Sequence, residues 1–133
     1  MLKRTASALL VTLLLASSLW GEPGLYSPHA YRGETFQRVM EWRVVGVLVN
    51  LAGYAAKIQV RDTVSNSIVD EFAVGTGLAL GGALGTITWD MTAAETLALP
   101  VGNLAYDLRL TSGGGQVIYL LYGYVNVHET RTR

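Results

Sequence analysis

Hydrophobic and polar positions fall into two regimes along this chain. From Ala6 to Trp20, apolar residues run almost unbroken behind Lys3 and Arg4, whereas from Glu34 onward they are cut into short alternating stretches. A period of two marks strands with one buried and one wet face. It is clearest at Tyr54, Ala56, Ile58 and Val60, which interleave with Ala55, Lys57, Gln59 and Arg61. Ser65 to Ser67 then turn the chain, and Ile68 to Val74 supplies a hairpin partner. Glu34 to Arg43 reads as an earlier strand, ended by the loop at Gly46.

Glycine punctuates the middle. Gly75, Gly77, Gly81, Gly82 and Gly85 set off two short strands, Leu78 to Leu80 and Thr86 to Trp89, with Gly81-Gly82 as a tight hairpin turn. Thr92 and Glu95 have the spacing of a capping box, so a short helix is expected from Ala93 to Leu99, stopped by Pro100. Leu97 and Leu99 would plug an open end of the fold. Leu104, Tyr106, Leu108 and Leu110 alternate with Ala105, Asp107, Arg109 and Thr111. Ser112 to Gly115 turn the chain, and Gln116 to His128 return. Strict alternation places Val117, Tyr119 and Leu121 on one face of the return strand and Ile118, Leu120, Tyr122 and Tyr124 on the other. Both faces are then apolar, so the second must meet another layer, the N-terminal segment or another subunit.

These elements predict an all-β fold, an Ig-like antiparallel β-sandwich of about 7–8 strands with one short helix, preceded by an apolar N-terminal helical segment. The organisation expected is a leader or partner-docking arm over 1–20, an extended linker over 21–33, a sandwich domain over 34–128 and a polar tail over 129–133. The first segment admits two readings. Its positive start, leucine-rich centre and small residues near Ser18 have the layout of a cleavable secretory signal. Retained, the same residues would be an apolar arm buried in a partner. As a helix, Ala6 to Trp20 would span about 22 Å, short of the roughly 30 Å hydrocarbon core, so a membrane role is expected only if it acts as a signal or anchor.

Composition narrows function. Of 133 residues, 50% are hydrophobic, 15% are charged and 15 are glycine, which suits one turn-rich β domain and excludes disorder. The formal charge is zero, and without Lys3 and Arg4 acids outnumber bases, so no nucleic-acid footprint is present. Without cysteine there is no disulfide framework.

No catalytic constellation emerges. His29 and His128 stand far apart in sequence and read as solvated rings, so no metal or cofactor is expected. Asp62, Asp70, Glu71, Asp90 and Asp107 fall at strand ends and turns, where acids serve local roles better than paired hydrolysis. The glycine-rich middle lacks the lysine of a phosphate loop, and no Gly-x-Ser-x-Gly elbow occurs. The chain is therefore not expected to be an enzyme. Aromatic side chains offer rigid contact area instead, for a protein partner or a carbohydrate.

Longer matches of motif carry a resemblance. Tyr31-Arg32-Gly33-Glu34-Thr35-Phe36, a strand ending near Trp42, and Asn50 to Arg61 with Leu51-Ala52-Gly53-Tyr54 at its corner resemble a family of small bacteriophage tail proteins. These are similar to the N-terminal domain of the baseplate upper protein. Thr92 to Gly102, followed by Tyr106-Asp107-Leu108-Arg109-Leu110, resembles the same family's capped helix and closing hairpin. The chain departs from the pattern at Ala52, where the family has Thr, in the apolar loop Val44 to Val49, and in residues 1–20.

The resemblance implies a structural virion protein, a tail, baseplate or fibre-attachment component with a capsid decoration subunit as the nearest variant. It also implies other virion proteins as partners, homo-oligomerisation, and a location on the tail or outer capsid. The alternative is a secreted or periplasmic carbohydrate-binding or adhesin module. The residues expected at an assembly interface are Leu10, Leu13, Leu14, Trp20, Tyr122 and Tyr124.

Overall fold

The computed structural model describes residues 9–15 and 24–130. In chain order the strands are β1 (Leu9–Leu15), β2 (Gly24–Leu25), β3 (His29–Tyr31), β4 (Phe36–Val44), β5 (Val47–Leu48), β6 (Ala55–Arg61), β7 (Ile68–Val74), β8 (Gly77–Leu80) and β9 (Thr86–Met91). Helix α1 (Ala93–Leu97), β10 (Gly102–Thr111) and β11 (Val117–His128) complete the order. All the strands belong to one curled sheet, with neighbours in the order β1-β4-β9-β8-β7-β6-β10-β11-β2. The central pairs are antiparallel, while β1–β4, β7–β8, β11–β2 and β11–β3 are parallel.

Curling brings the two halves of the sheet together around one core. Trp89 of β9 is its hub, with Phe36 of β4 at 5.0 Å, Phe72 of β7 at 5.7 Å and Tyr106 of β10 at 5.2 Å between ring centroids. The predicted alternation in β6 appears as burial of Ala56, Ile58 and Val60, and in β10 as burial of Leu104, Tyr106, Leu108 and Leu110. Removing such side chains from water is the main stabilising term, about 1.5–3 kcal/mol for each large one.

Four sequence expectations are corrected. The N-terminal segment was expected to be helical, but its described part, β1, is a strand running parallel to β4 from Leu9 opposite Arg38 to Leu15 opposite Val44. A free strand edge presents unpaired N–H and C=O groups, and pairing there satisfies both strands, which outweighs the local helix preference of leucine. Residues 21–33 were expected as a linker, yet β2 and β3 within them pair with β11. Gly81 and Gly82 form no two-residue turn. A 3₁₀ turn at Gly82–Leu84 widens the loop, closed by the Gly81 N–H bonding to the Thr86 carbonyl at 2.8 Å.

The fourth correction concerns the helix. Its capping box is complete, with Thr92 Oγ1 accepting from the Glu95 N–H at 3.1 Å and Glu95 Oε1 accepting from the Thr92 N–H at 2.8 Å. Leu99 is buried beneath it, but Leu97 is 43% exposed and plugs nothing. The inward position belongs to Thr96, whose hydroxyl donates to the Glu34 carbonyl at 2.8 Å and accepts from the Gly33 N–H at 3.1 Å. That anchors α1 to the entry of β4.

Candidate functional site

The site is made by one irregularity in the β10–β11 hairpin. Tyr119 stands opposite Arg109 and Leu121 opposite Leu108, so Leu120 is an extra residue in β11. A bulge of this kind leaves two residues facing one partner and shifts the phase of alternation. The faces expected from strict alternation are accordingly corrected. Ile118, Leu120, Leu121, Val125 and Val127 are all buried, whereas Val117, Tyr119, Tyr122 and Tyr124 are all exposed.

The three tyrosines therefore share the outer face, at 51, 49 and 48% exposure, with Leu25 of β2 beside Tyr122 at 65%. Their cross-strand partners form three rows. Tyr119 lies beside Arg109 and then Lys57, Tyr122 beside Asp107 and then Gln59, and Tyr124 beside Ala105 and then Arg61. Neighbouring strands are about 4.8 Å apart, so each row is a short strip of aromatic, charged and polar groups.

The polar ends of these strips are bonded to one another. Gln59 Nε2 donates to Glu71 Oε2 at 2.7 Å, and Arg61 Nη2 donates to Gln59 Oε1 at 2.6 Å. Lys57 Nζ lies 3.6 Å from Glu71 Oε1. The Gln59 bond, followed by the charges of Lys57 and then Arg109, holds the Glu71 carboxyl below its usual range. Asp107 and Arg109, in the middle, differ: neither side chain makes a hydrogen bond to another described residue. Between them and Tyr119 lies a depression of about 140 Å³, lined also by Lys57, Gln59 and Arg61.

Two further clusters lie elsewhere. His29 and His128, read from sequence as separate rings, meet where β3 pairs with the end of β11, with Nδ1 of His29 2.8 Å from Nε2 of His128. Their rings stack at 5.1 Å, and Tyr31 stacks on His128 at 5.0 Å. Among the described residues no group of three metal-ligating side chains converges. An open cleft of about 450 Å³ beside α1 is lined by Asp90 and Glu95 with Gln37 and Thr35. Asp70 is pushed up from its usual range by burial and, to a lesser degree, by the charge of Glu95. Asp62 instead accepts the N–H groups of Val64 and Ser65 and shapes the β6–β7 turn.

The fold resembles a phage protein domain. The N-terminal domain of phage TP901-1 ORF48 aligns with a TM-score of 0.58 over 91% of this chain and 98% of that one, at 12% identity. CopC from Methylosinus trichosporium OB3b aligns at a TM-score of 0.43 and 20% identity over 78% of this chain and 87% of its own. Drosophila OTK, extracellular domains 3–5, aligns at 0.35 and 13% identity over 77% of this chain and 33% of its own. No protein-family model matches the sequence, and no curated protein matches it by sequence.

The residues expected at an interface are distributed between two places. Leu10, Leu13 and Leu14 occupy β1, in register with Val39, Trp42 and Arg43 of β4. Tyr122 and Tyr124 are on the outer face of β11. Trp20 lies outside the described residues. Sequence reasoning missed Leu25, which looked like linker, and Tyr119, which alternation placed opposite Tyr122. It also left Asp107 and Arg109 as ordinary strand polar positions, because only the register across β6, β10 and β11 brings them between rings and cations.

Proposed function

We propose that this chain is a structural component of a bacteriophage particle, a tail or baseplate part that holds a fibre or a neighbouring subunit, with a capsid decoration subunit as the nearest variant. The observation that carries the reading is the likeness to the N-terminal domain of phage TP901-1 ORF48 across nearly the whole of both chains. The motif resemblance around Tyr31 to Arg61 and Thr92 to Leu110 agrees with it. On this reading the chain acts by burying area against partners and not by turnover. On the same reading two parts of the fold serve assembly: the edge strand β1, which carries positions Leu10, Leu13 and Leu14, and the outer patch of Leu25, Tyr122 and Tyr124. Half-exposed tyrosines bury large rigid area at small entropic cost, and symmetric repetition multiplies modest contacts.

The test is fractionation of particles from cells that make the chain. Density-gradient-purified virions should contain it at a fixed stoichiometry, with peptides from residues 1–18 present by mass spectrometry. Recovery only from the particle-free medium, as a chain starting after Ser18, would overturn the reading in favour of a secreted module.

A further inference from the structure

The depression between β6, β10 and Tyr119 borders the apolar patch assigned to assembly, since Asp107 in its lining pairs with Tyr122. Its centre holds a carboxylate and a guanidinium two residues apart on one strand face, Asp107 and Arg109, neither of them hydrogen-bonded by its side chain within the described residues. The Nε of Arg109 is also shielded from solvent without an acceptor. A desolvated donor left without a partner carries a penalty that a bound acceptor would relieve. Around this pair the other groups are already committed: Gln59 to Glu71 and Arg61, and Lys57 to Glu71. The network fixes the rim; Arg109 adds its charge to the attraction on Glu71 without a hydrogen bond, so both central side chains keep their hydrogen-bonding groups open.

The chemistry of the lining selects among ligands. With Lys57 paired to Glu71 at the rim, Arg61 and Arg109 are left facing Asp107 alone, so the depression keeps a small positive balance that favours a negative charge. A guanidinium recognises a carboxylate through two parallel N–H donors. An ionised Asp107 accepts hydrogen bonds only, which suits hydroxyl groups. Tyr119, half exposed at the edge, offers an apolar ring face ending in a polar hydroxyl. A protein partner fits less well, because interface centres are depleted of Lys, Asp and Glu, and this face would require burying several of them. A nucleic acid would set its phosphates against Asp107 and Glu71 on a chain without net positive charge.

We propose that this depression binds an acidic saccharide, a sugar unit carrying a carboxylate, with Arg109 holding the carboxylate, Asp107 accepting from hydroxyls and Tyr119 stacking on the sugar's C–H face. Lys57 and Arg61 add attraction at the rim, and Gln59 is oriented by its two bonds to present its remaining N–H. The depression of about 140 Å³ takes the carboxylate-bearing part of one sugar unit, with the rest of the oligosaccharide extending across β6. The assignment does not depend on the phage reading, since virion fractionation and sugar binding are measured separately.

Isothermal titration of the full chain tests it, using oligogalacturonate, a hyaluronan tetrasaccharide and sialyllactose, with methyl-esterified oligogalacturonate, N-acetylated chito-oligosaccharide and lactose as neutral counterparts. At least one acidic sugar should bind in the millimolar range or tighter, with its neutral counterpart weaker by about tenfold or more. Affinity should fall as salt rises, because the rim charges are exposed. Arg109→Gln and Tyr119→Ser should each weaken binding by about tenfold while thermal melting shows the fold intact. Should Arg109→Gln fail to fold, Tyr119→Ser and Asp107→Asn carry the test, as both side chains lie on the outer face. Absence of binding to every acidic sugar at millimolar concentration overturns the proposal. So does equal binding of the neutral sugars, or unchanged affinity in the folded variants.

Discussion

The hydroxyl of Tyr106 donates a hydrogen bond to the backbone carbonyl of Tyr26, tying the middle of β10 to a residue that precedes it by 80 positions. Tyr106 is largely buried, and that burial, with a smaller contribution from the neighbouring Tyr26 phenol, pushes its ionisation far above the usual phenol range. A phenol whose folded pKa exceeds its unfolded one stabilises the fold fully below the ordinary range, and loses that contribution as pH climbs toward the raised value. Tyr106→Phe should therefore cost about 1 kcal/mol at neutral pH through the lost bond. It should also remove part of the stability loss that the parent shows above about pH 10. Urea unfolding at neutral and alkaline pH checks both; a variant as steeply alkali-sensitive as the parent would contradict the role given to Tyr106.

Gly123, the cross-strand partner of Tyr106, makes that bond possible. A Cβ at this position would lie 2.2 Å from the Tyr26 carbonyl oxygen, so only glycine lets the segment before β3 settle against β11. Gly123→Ala must displace that backbone. It should cost about 1–3 kcal/mol, as overpacking does, with the loss concentrated in residues 24–31. Amide exchange should quicken at Asn126, which donates to the Pro28 carbonyl, before it quickens in β6. Uniform loss of protection across the sheet would contradict this local account.

The bulge at Leu120 makes a prediction that strict alternation reverses. Alternation pairs Leu121 with Tyr119 and Leu120 with Tyr122, whereas the register buries both leucines and exposes both tyrosines. Leu121→Ala should cost about 2–5 kcal/mol, the range for removing a packed leucine. Tyr122→Ser should stay within about 0.5 kcal/mol, as expected of a surface position away from the core. Equilibrium unfolding of the isolated full chain decides between the two patterns.

How much of this was legible in the sequence follows the range of the interactions involved. The alternation at Ala56, Ile58 and Val60 and the capping box of Thr92 and Glu95 are local, and both appear in the structure as read. Leu104 to Leu110 likewise declare their inward face. What escaped was decided by distant partners. The short strands β2 and β3 have too few residues to show a period and exist because β11 pairs with them. Leucine-rich β1 reads as a helix until the edge of β4 is present to pair with it. The juxtaposition of Arg109 with Tyr119 and Lys57 depends on register across three strands, together with a bulge that no composition marks.

Asp70 and Asp62 flank the β6–β7 hairpin region and should respond to pH with opposite signs. The Asp70 carboxyl is pushed up mainly by burial, with the charge of Glu95 adding to the shift and the Glu71 N–H opposing it. A raised folded pKa means that Asp70 stabilises the fold at low pH, where it is protonated, and ceases to do so as pH rises through the shifted value. Asp62 is held low by the N–H groups of Ser65 and Val64, so its contribution is present above the ordinary carboxylate range and is lost as pH falls through its folded value. Asp70→Asn should accordingly be more stable than the parent at neutral pH, an advantage that shrinks on acidification. Asp62→Ala should be less stable at neutral pH, with a deficit that narrows in acid. Thermal melts across the acid range measure both differences. Parallel curves for Asp70→Asn and the parent would show that its carboxyl is not destabilised by burial.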